Sequence, residues 1–354
     1  MAYKNTDYST SMRGDVTPKK SVMYRTENNI ARPYFMRKVE QSGPDYSEPF
    51  YVEDISGSDN TLSIRKNRDS DYILIIEKSL DGKTWSVIGR TSTDGITATV
   101  PANGKLYLRC NTDTWSHTGY NLFCHYINCS SQFNVGGNMM SLLYGNTFTG
   151  EETTFPSRST DNFNYLFYNS TTLVSAENLL LPATTLTQSC YNGLFQNCTS
   201  LTTAPALPAT TLAVSCYERL FQNCTSLTTA PALPATTLAP TCYNGTFLNC
   251  TALTAAPELP AATLVNRCYE SIFFGCSSLT YIKVGFTAWP STSSSASDYR
   301  ATYQWTKLKQ NTTGTFVCPA ALRQLFNKSG NNTSGSEIFD YTNGIPYGWT
   351  VQTF

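Results

Sequence analysis

Between residues 181 and 284 the apolar positions recur with a period of 26, and that long period outranks any local helix or strand signal. Leu181-Pro182-Ala183-Thr184-Thr185-Leu186 returns at 207–212, at 233–238 and, with one Thr replaced by Ala, at 259–264. Between these phrases lies Cys-Tyr-x-x-x-Phe-x-x-Cys, beginning at Cys190, Cys216, Cys242 and Cys268. Within one unit, Leu201-Thr202-Thr203-Ala204 reads as a short strand that Pro205 stops from lengthening. Residues 207–212 read as an extended crossing segment, because Pro208 fixes its own φ and biases the residue before it. Cys216 to Phe221 reads as a helical turn with Cys216, Leu220 and Phe221 inward. Asn223-Cys224-Thr225 closes the corner, and Asn197, Asn223 and Asn249 are placed to hydrogen-bond backbone groups between coils, with Gly275 in that position in the last unit. A fixed period of this length predicts a solenoid, in which each unit buries its apolar face only against its neighbours.

Upstream the period shortens to two. Phe50-Tyr51-Val52 and Leu62-Ser63-Ile64 read as strands, and residues 72–77 face 85–88 across Asp81-Gly82, a hairpin signal. Residues 97–100 and 105–108 are further strands joined by the turn Pro101-Ala102-Asn103-Gly104. Frequent short strands predict a small β-sandwich. Residues 133–144 are expected to cap the first open coil. A degenerate unit follows, with Phe167 corresponding to Phe195 at an offset of 28. After Tyr281-Ile282-Lys283-Val284 the periodicity stops, leaving residues 300–326 to supply a C-terminal cap with Trp305, Phe316, Leu322, Leu325 and Phe326.

The first 45 residues read differently. They hold eight basic residues (Lys4, Arg13, Lys19, Lys20, Arg25, Arg32, Arg37, Lys38) against five acids, and their apolar residues show no helix or strand period. Aromatic and sulfur side chains such as Tyr24, Tyr34, Phe35 and Met36 are interspersed among the charges. A disordered tail is usually poorer in aromatics, and aromatics with arginine mark interface anchors. The expectation is an extended anchoring arm, with Arg13, Lys19, Lys20, Tyr24, Arg25, Arg32, Tyr34, Phe35, Arg37 and Lys38 as its contact residues.

Charge and cysteine content narrow the chemistry. The formal net charge is zero over 354 residues, which argues against nucleic acid as the main partner. No apolar run approaches a membrane-spanning length, so membrane insertion is not expected. No N-terminal stretch combines a basic start, an apolar core and a cleavage site, which predicts that outward display is reached by a route other than general export. Eight of the twelve cysteines fall in two columns of the repeat. Within a unit the two are eight residues apart. On a helix that is roughly 12 Å at 1.5 Å per residue, beyond the Cα reach of about 7 Å for a disulfide. With His117 and His125 the only histidines and no CxxC pair, zinc is not expected either. The cysteines read as small buried hydrophobes.

The unit Cys-Tyr-x-x-x-Phe-x-x-Cys-Thr-Ser-Leu-Thr-x-Ala-Pro-x-Leu-Pro-Ala-Thr-Thr-Leu resembles the BspA-like leucine-rich repeat family of Bacteroides-type gut bacteria and their mobile elements. The resemblance runs from Phe133 to Phe354. It includes residues 133–145 before the repeats and Gly344-Ile345-Pro346-Tyr347-Gly348-Trp349-Thr350-Val351 after them. It implies a curved solenoid with a short parallel sheet along one side, and roles in adhesion to cells or matrix.

The fold expected is therefore mainly β: an N-terminal extended arm (1–45), a β-sandwich (46–132), a leucine-rich-repeat solenoid with its N-terminal cap (133–284) and a C-terminal cap (285–354). The functional expectation is a non-enzymatic phage virion protein, a capsid or tail decoration or fibre. The arm would bind other virion proteins, and the repeats would bind a host surface glycan or protein. A bacterial surface adhesin exported without a standard signal is the alternative. A homo-oligomer is compatible with either. No paired carboxylates, nucleophile elbow or phosphate loop points to an enzyme, and no cofactor is expected. If there is a ligand face it is the sheet side, where polar positions repeat: Thr202, Thr203, Thr228, Thr229, Thr254 and Tyr281.

Overall fold

The computed structural model describes residues 23–27, 30–34, 45–66, 74–111, 125–156, 160–290, 294–306, 313–322, 344–346 and 349–354. Its contacts divide the chain into two compact units, Met1–Gly43 and Pro44–Phe354. The chain is mainly β with few helical residues.

In the first unit, β1 (Met23–Glu27) and β2 (Ile30–Tyr34) form an antiparallel pair with Arg25 opposite Arg32. This corrects the expectation of a segment without strand structure. Met, Tyr, Thr and Ile suit a pleated strand, and cross-strand backbone bonds do not require alternating polarity. Of the proposed arm residues, Tyr24, Arg25, Arg32 and Tyr34 lie in these strands. Arg13, Lys19, Lys20, Phe35, Arg37 and Lys38 lie outside the described residues.

The second unit opens with two sheets. Its early strands are β3 (Tyr51–Asp54), β4 (Asn60–Lys66), β5 (Ile75–Ser79), β6 (Ser86–Arg90), β7 (Ile96–Val100), β8 (Lys105–Asn111), β9 (His125–Cys129) and β10 (Phe133–Asn138). A further strand, β11 (Leu173–Leu180), completes a six-stranded sheet in the order β11-β10-β3-β8-β5-β6, and the other sheet runs β7-β4-β9. Alternation works as read in β4, where Asn60, Leu62 and Ile64 are buried and Thr61 is exposed. The turn at 101–104 closes with Gly104 N–H donating to Pro101 O at 2.9 Å. It does not make a hairpin, because β7 pairs with β4 while β8 pairs with β3 and β5. The turn carries the chain from one sheet to the other.

The expected boundary near residue 132 is not a structural break. β10 pairs antiparallel with β3 on one side and parallel with β11 on the other, so one sheet continues from the sandwich into the repeats. Gly137 makes this possible: at φ +73° a Cβ would lie 2.1 Å from Pro49 O. The first coil is also held from the sandwich side, by Ile127 N–H on Leu166 O at 2.8 Å and Ser170 Oγ–H on Ile127 O at 2.6 Å.

From residue 160 onward, successive units lie in register against one another. Phe167, Phe195, Phe221, Phe247 and Phe273 form one file of stacked rings, with centroids 5.4 to 5.9 Å apart. Phe163, Tyr191, Tyr217, Tyr243 and Tyr269 form a second at 5.7 to 5.9 Å. All the Phe of the first file are fully buried, each contributing about 1.5–3 kcal/mol of burial free energy.

The segment expected to be a helical turn is a ribbon of tight turns instead. Cys216, Leu220 and Phe221 do point inward and are fully buried. However, Ser215, Arg219 and Asn223 take positive φ of 54°, 55° and 61°, one residue in every four. Even-numbered amides bond locally: Cys216 to Ala213 O at 3.3 Å, Glu218 to Ser215 O at 3.2 Å, Leu220 to Tyr217 O at 3.2 Å. Odd-numbered amides cross to the next unit: Tyr217 to Cys242 O at 3.0 Å, Arg219 to Asn244 O at 2.8 Å, Phe221 to Thr246 O at 2.8 Å. An α-helix spends its amides internally and has none left for a neighbour. The ribbon divides them between its own turns and the next coil, at a cost of roughly 1–2 kcal/mol for each non-glycine left-handed residue.

The expected strand at 201–204 is reduced to isolated parallel bridges, Ser175 with Thr203 and Ala255 with Tyr281. Pro205, Pro231 and Pro257 follow within two residues of these positions and lack the amide a longer ladder needs. Further bridges link Thr185, Thr211 and Thr237 in the crossing segment.

The 26-residue period stops at Val284, but parallel pairing continues beyond it. Three parallel strands, β12 (Tyr281–Lys283), β13 (Thr315–Cys318) and β14 (Thr350–Thr353), pair Tyr281 with Thr315 and Thr315 with Thr350. On the ribbon side, Tyr269 N–H reaches Ala301 O at 2.8 Å and Phe273 N–H reaches Trp305 O at 2.8 Å. Arg300 and Gln304 repeat the positive φ at 55° and 51°. The region expected as a separate cap thus adds longer coils to the same stack.

Candidate functional site

The repeated threonines are the candidate site the sequence offers, and the structure places them unevenly. Thr202, Thr203, Thr228, Thr229 and Thr254 are exposed, while Tyr281 is half-buried. Thr202 gives both its amide and its hydroxyl proton to Val174 O, at 2.9 and 3.0 Å. Thr280 does the same to Thr254 O, at 2.9 and 3.1 Å. Thr203 shares a hydrogen bond with Ser175 Oγ. The row therefore clamps one coil to the preceding one at Thr202 and Thr280, which leaves those hydroxyl oxygens as acceptors only. The side chains of Thr228 and Thr229 have no hydrogen-bond partner among the described residues and keep donors and acceptors for solvent or a ligand.

Beside the threonines runs a ladder the sequence half disclosed. Asn197, Asn223 and Asn249 bond backbone carbonyls of the neighbouring coil through their main-chain amides, at 2.7 to 2.8 Å, but not through their side chains. Each donates from Nδ2 to Oδ1 of the preceding asparagine: Asn197 to Asn169 at 2.7 Å, Asn223 to Asn197 at 2.6 Å, Asn249 to Asn223 at 2.9 Å. All four sit at φ between 60° and 66°, a region Asn tolerates better than most residues. Gly275 ends the ladder at φ +76°, where a Cβ would lie 2.1 Å from Asn249 Oδ1.

The cysteines behave as the spacing suggested. Every described cysteine is buried and outside any disulfide. Cys198, Cys224, Cys250 and Cys276 each direct the thiol to a phenylalanine carbonyl of the preceding coil, at 3.0 to 3.1 Å. Burial pushes Cys216, Cys268 and Cys276 up to about 12, so the nucleophilic thiolate is suppressed. His125 is buried, shares a hydrogen bond of 3.0 Å with Thr91 Oγ1, and is lowered to about 4 by burial and, less, by the charge of Lys66. Among the described residues no group of three or more His, Cys, Asp or Glu is placed to hold a metal ion, and no helix is long and apolar enough to cross a membrane.

Charged groups pair both beside the threonine row, where Lys283 meets Glu258 at 2.8 Å, and elsewhere. Glu270 lies between Arg267, 2.6 Å away, and Arg300 of the next coil, 3.4 Å away. On the sandwich, Arg109 pairs with Glu77 at 2.6 Å and lies 4.3 Å over the Trp85 ring. Lys105 and Tyr107 both bond Glu48, at 2.8 and 2.9 Å. A cleft at the open side of the sandwich, lined by Asp59, Lys78 and Thr99, carried no sequence signal, because its residues come from separate strands of two sheets.

Comparison with protein-family models, curated proteins and solved structures finds no match for this chain.

Proposed function

We propose that the chain is a display protein of a phage particle: a leucine-rich-repeat solenoid of the BspA-like type, held on the virion by its N-terminal segment and presenting the repeat surface to host envelope or gut glycans. The observation that carries this reading is the threonine row, in which identical residues recur at one offset on a single stack and Thr228 and Thr229 remain free to bond outward. Repetition of a weak polar contact along a stiff support is the arrangement that gains from multivalency. The division of contacts at Gly43 and Pro44 supports a separately folding anchor. Its partner would be another virion protein.

Mass spectrometry of purified particles from a lysogen or lysate of the encoding strain tests this. The chain is expected at a fixed ratio to the major capsid or tail protein, and its loss on deleting residues 1–43 would assign the anchor. Recovery only in the envelope of uninfected cells would identify a surface adhesin instead and end the virion reading.

A further inference from the structure

The sandwich has an open side. β6 and β7 are the edge strands of its two sheets and are joined by the loop at 91–95. At the loop end the edges touch, since a Cβ built on Gly89 would lie 3.3 Å from Ile96. The register of β5 on β6 then slips: Ile76 faces Gly89 but Glu77 faces Val87, leaving Ile88 as an extra residue in β6. Such a bulge bends its strand and re-aims the side chains beyond it. Away from the loop the two edges leave a cleft of about 540 Å³, a volume in the range of small-molecule sites.

Six residues define its chemistry: Asp59, Lys78, Leu80, Ser86, Thr99 and Pro101. Asp59 uses one oxygen on Ala102 N–H at 3.0 Å and keeps the other. The side chains of Lys78, Ser86 and Thr99 engage no other described residue. Asp81, also in the lining, accepts from Ser79, Lys83 and Thr84, mostly through Oδ1, and so holds the 80–84 loop in place. Leu80 presents an apolar surface that is 68 % exposed.

The cleft thus offers an acceptor (Asp59), a donor (Lys78), two groups that do either (Ser86, Thr99), and a small apolar patch. A hydrocarbon ligand would strand the charges in a desolvated site. An anion would meet Asp59 and Asp81, and a cation would meet Lys78. A neutral polyhydroxylated ring satisfies all of them. Its vicinal hydroxyls each donate and accept, and its C–H face can lie on Leu80 and Pro101. We propose that this cleft is a binding site for a neutral saccharide of one or two rings, distinct from the repeat surface and independent of the virion reading.

Isothermal titration of the full chain with glucose, galactose, mannose, N-acetylglucosamine and their β-linked disaccharides tests the proposal. At least one sugar is expected to bind. Lys78→Ala and Thr99→Ala should each weaken it about tenfold, the loss of roughly one hydrogen bond, while Thr97→Ala on the same strand outside the cleft leaves it unchanged. Far-ultraviolet circular dichroism should show all three variants folded. Absence of binding by every sugar in the panel, or binding that Lys78→Ala and Thr99→Ala leave intact, overturns it.

Discussion

The side-chain amide of Asn223 donates to Oδ1 of Asn197 across 2.6 Å, joining two residues 26 positions apart at the same left-handed corner of successive coils. The corner asks two things of its residue: tolerance of positive φ and an amide that bonds both ways along the stack. Glycine meets the first and alanine meets neither. Asn223→Gly is expected to lose about 1–2 kcal/mol for its two ladder bonds, and Asn223→Ala about 1 kcal/mol more for the backbone. Denaturant titration of the two variants against the wild type checks the order.

The tyrosine file carries a different signature. The hydroxyls of Tyr191, Tyr217, Tyr243 and Tyr269 are buried without a hydrogen-bond partner among the described residues, and Phe163 already occupies the first place in the file. A buried unpaired hydroxyl costs about 1–3 kcal/mol. Tyr217→Phe should therefore leave stability unchanged or raise it, whereas Tyr217→Ala should cost about 3–5 kcal/mol through the cavity it opens. Shifts of the denaturation midpoint in opposite or unequal directions distinguish the two. A marked loss in Tyr217→Phe would mean the hydroxyl has a partner.

Acid should act through His125. Its ordinary value is 6.5 and burial lowers it to about 4, so on acidification the unfolded chain takes up a proton that the folded chain refuses. Stability is expected to fall as pH drops from about 6.5 toward 4, by up to about 3 kcal/mol. Measuring stability across that window in the wild type and in His125→Gln checks it, because the variant should lose this component of the slope.

Alkali should act through the thiols. Cys216, Cys268 and Cys276 are held near 12 against an ordinary 9.0. Above pH 9 the unfolded chain releases protons that the folded chain retains, so stability falls with rising pH, at about 1.4 kcal/mol per pH unit for each such thiol. The same burial should leave the repeat cysteines unreactive toward a thiol reagent until the chain unfolds. Rapid labelling of Cys224 or Cys250 in the native protein would contradict this.

Much of the repeat was legible because its signal was long. The recurrence of Cys216, Tyr217 and Phe221 at 26 residues fixed which side chains share a file, and the Phe167 to Phe195 offset of 28 located the irregular first coil. The ribbon was not legible. Its left-handed residue recurs every fourth position, close enough to the 3.6-residue helical period that Cys216 and Leu220 look like one face of a helix. The later coils were hidden for the opposite reason. Tyr281, Thr315 and Thr350 align at steps of 34 and 35 with no shared motif, so only backbone pairing reveals them. The saccharide cleft was invisible in the sequence, since Asp59, Lys78 and Thr99 meet only through the crossing of two sheets. The repetition of Thr228 and Thr229 was visible in the sequence, but the use of Thr202 and Thr280 as clamps on the coil before was not.

Continuous stacking of the units is tested most directly by cross-linking on the exposed crossing segment, where Thr185, Thr211 and Thr237 are successive bridge partners. Neighbouring parallel positions lie about 4.8 Å apart, within disulfide reach, and positions two coils apart do not. Under mild oxidation Thr211→Cys with Thr237→Cys should form an intramolecular bond in the native protein, and Thr185→Cys with Thr237→Cys should not. Failure of the first pair, or equal bonding by both, would mean that the units do not lie one upon the next.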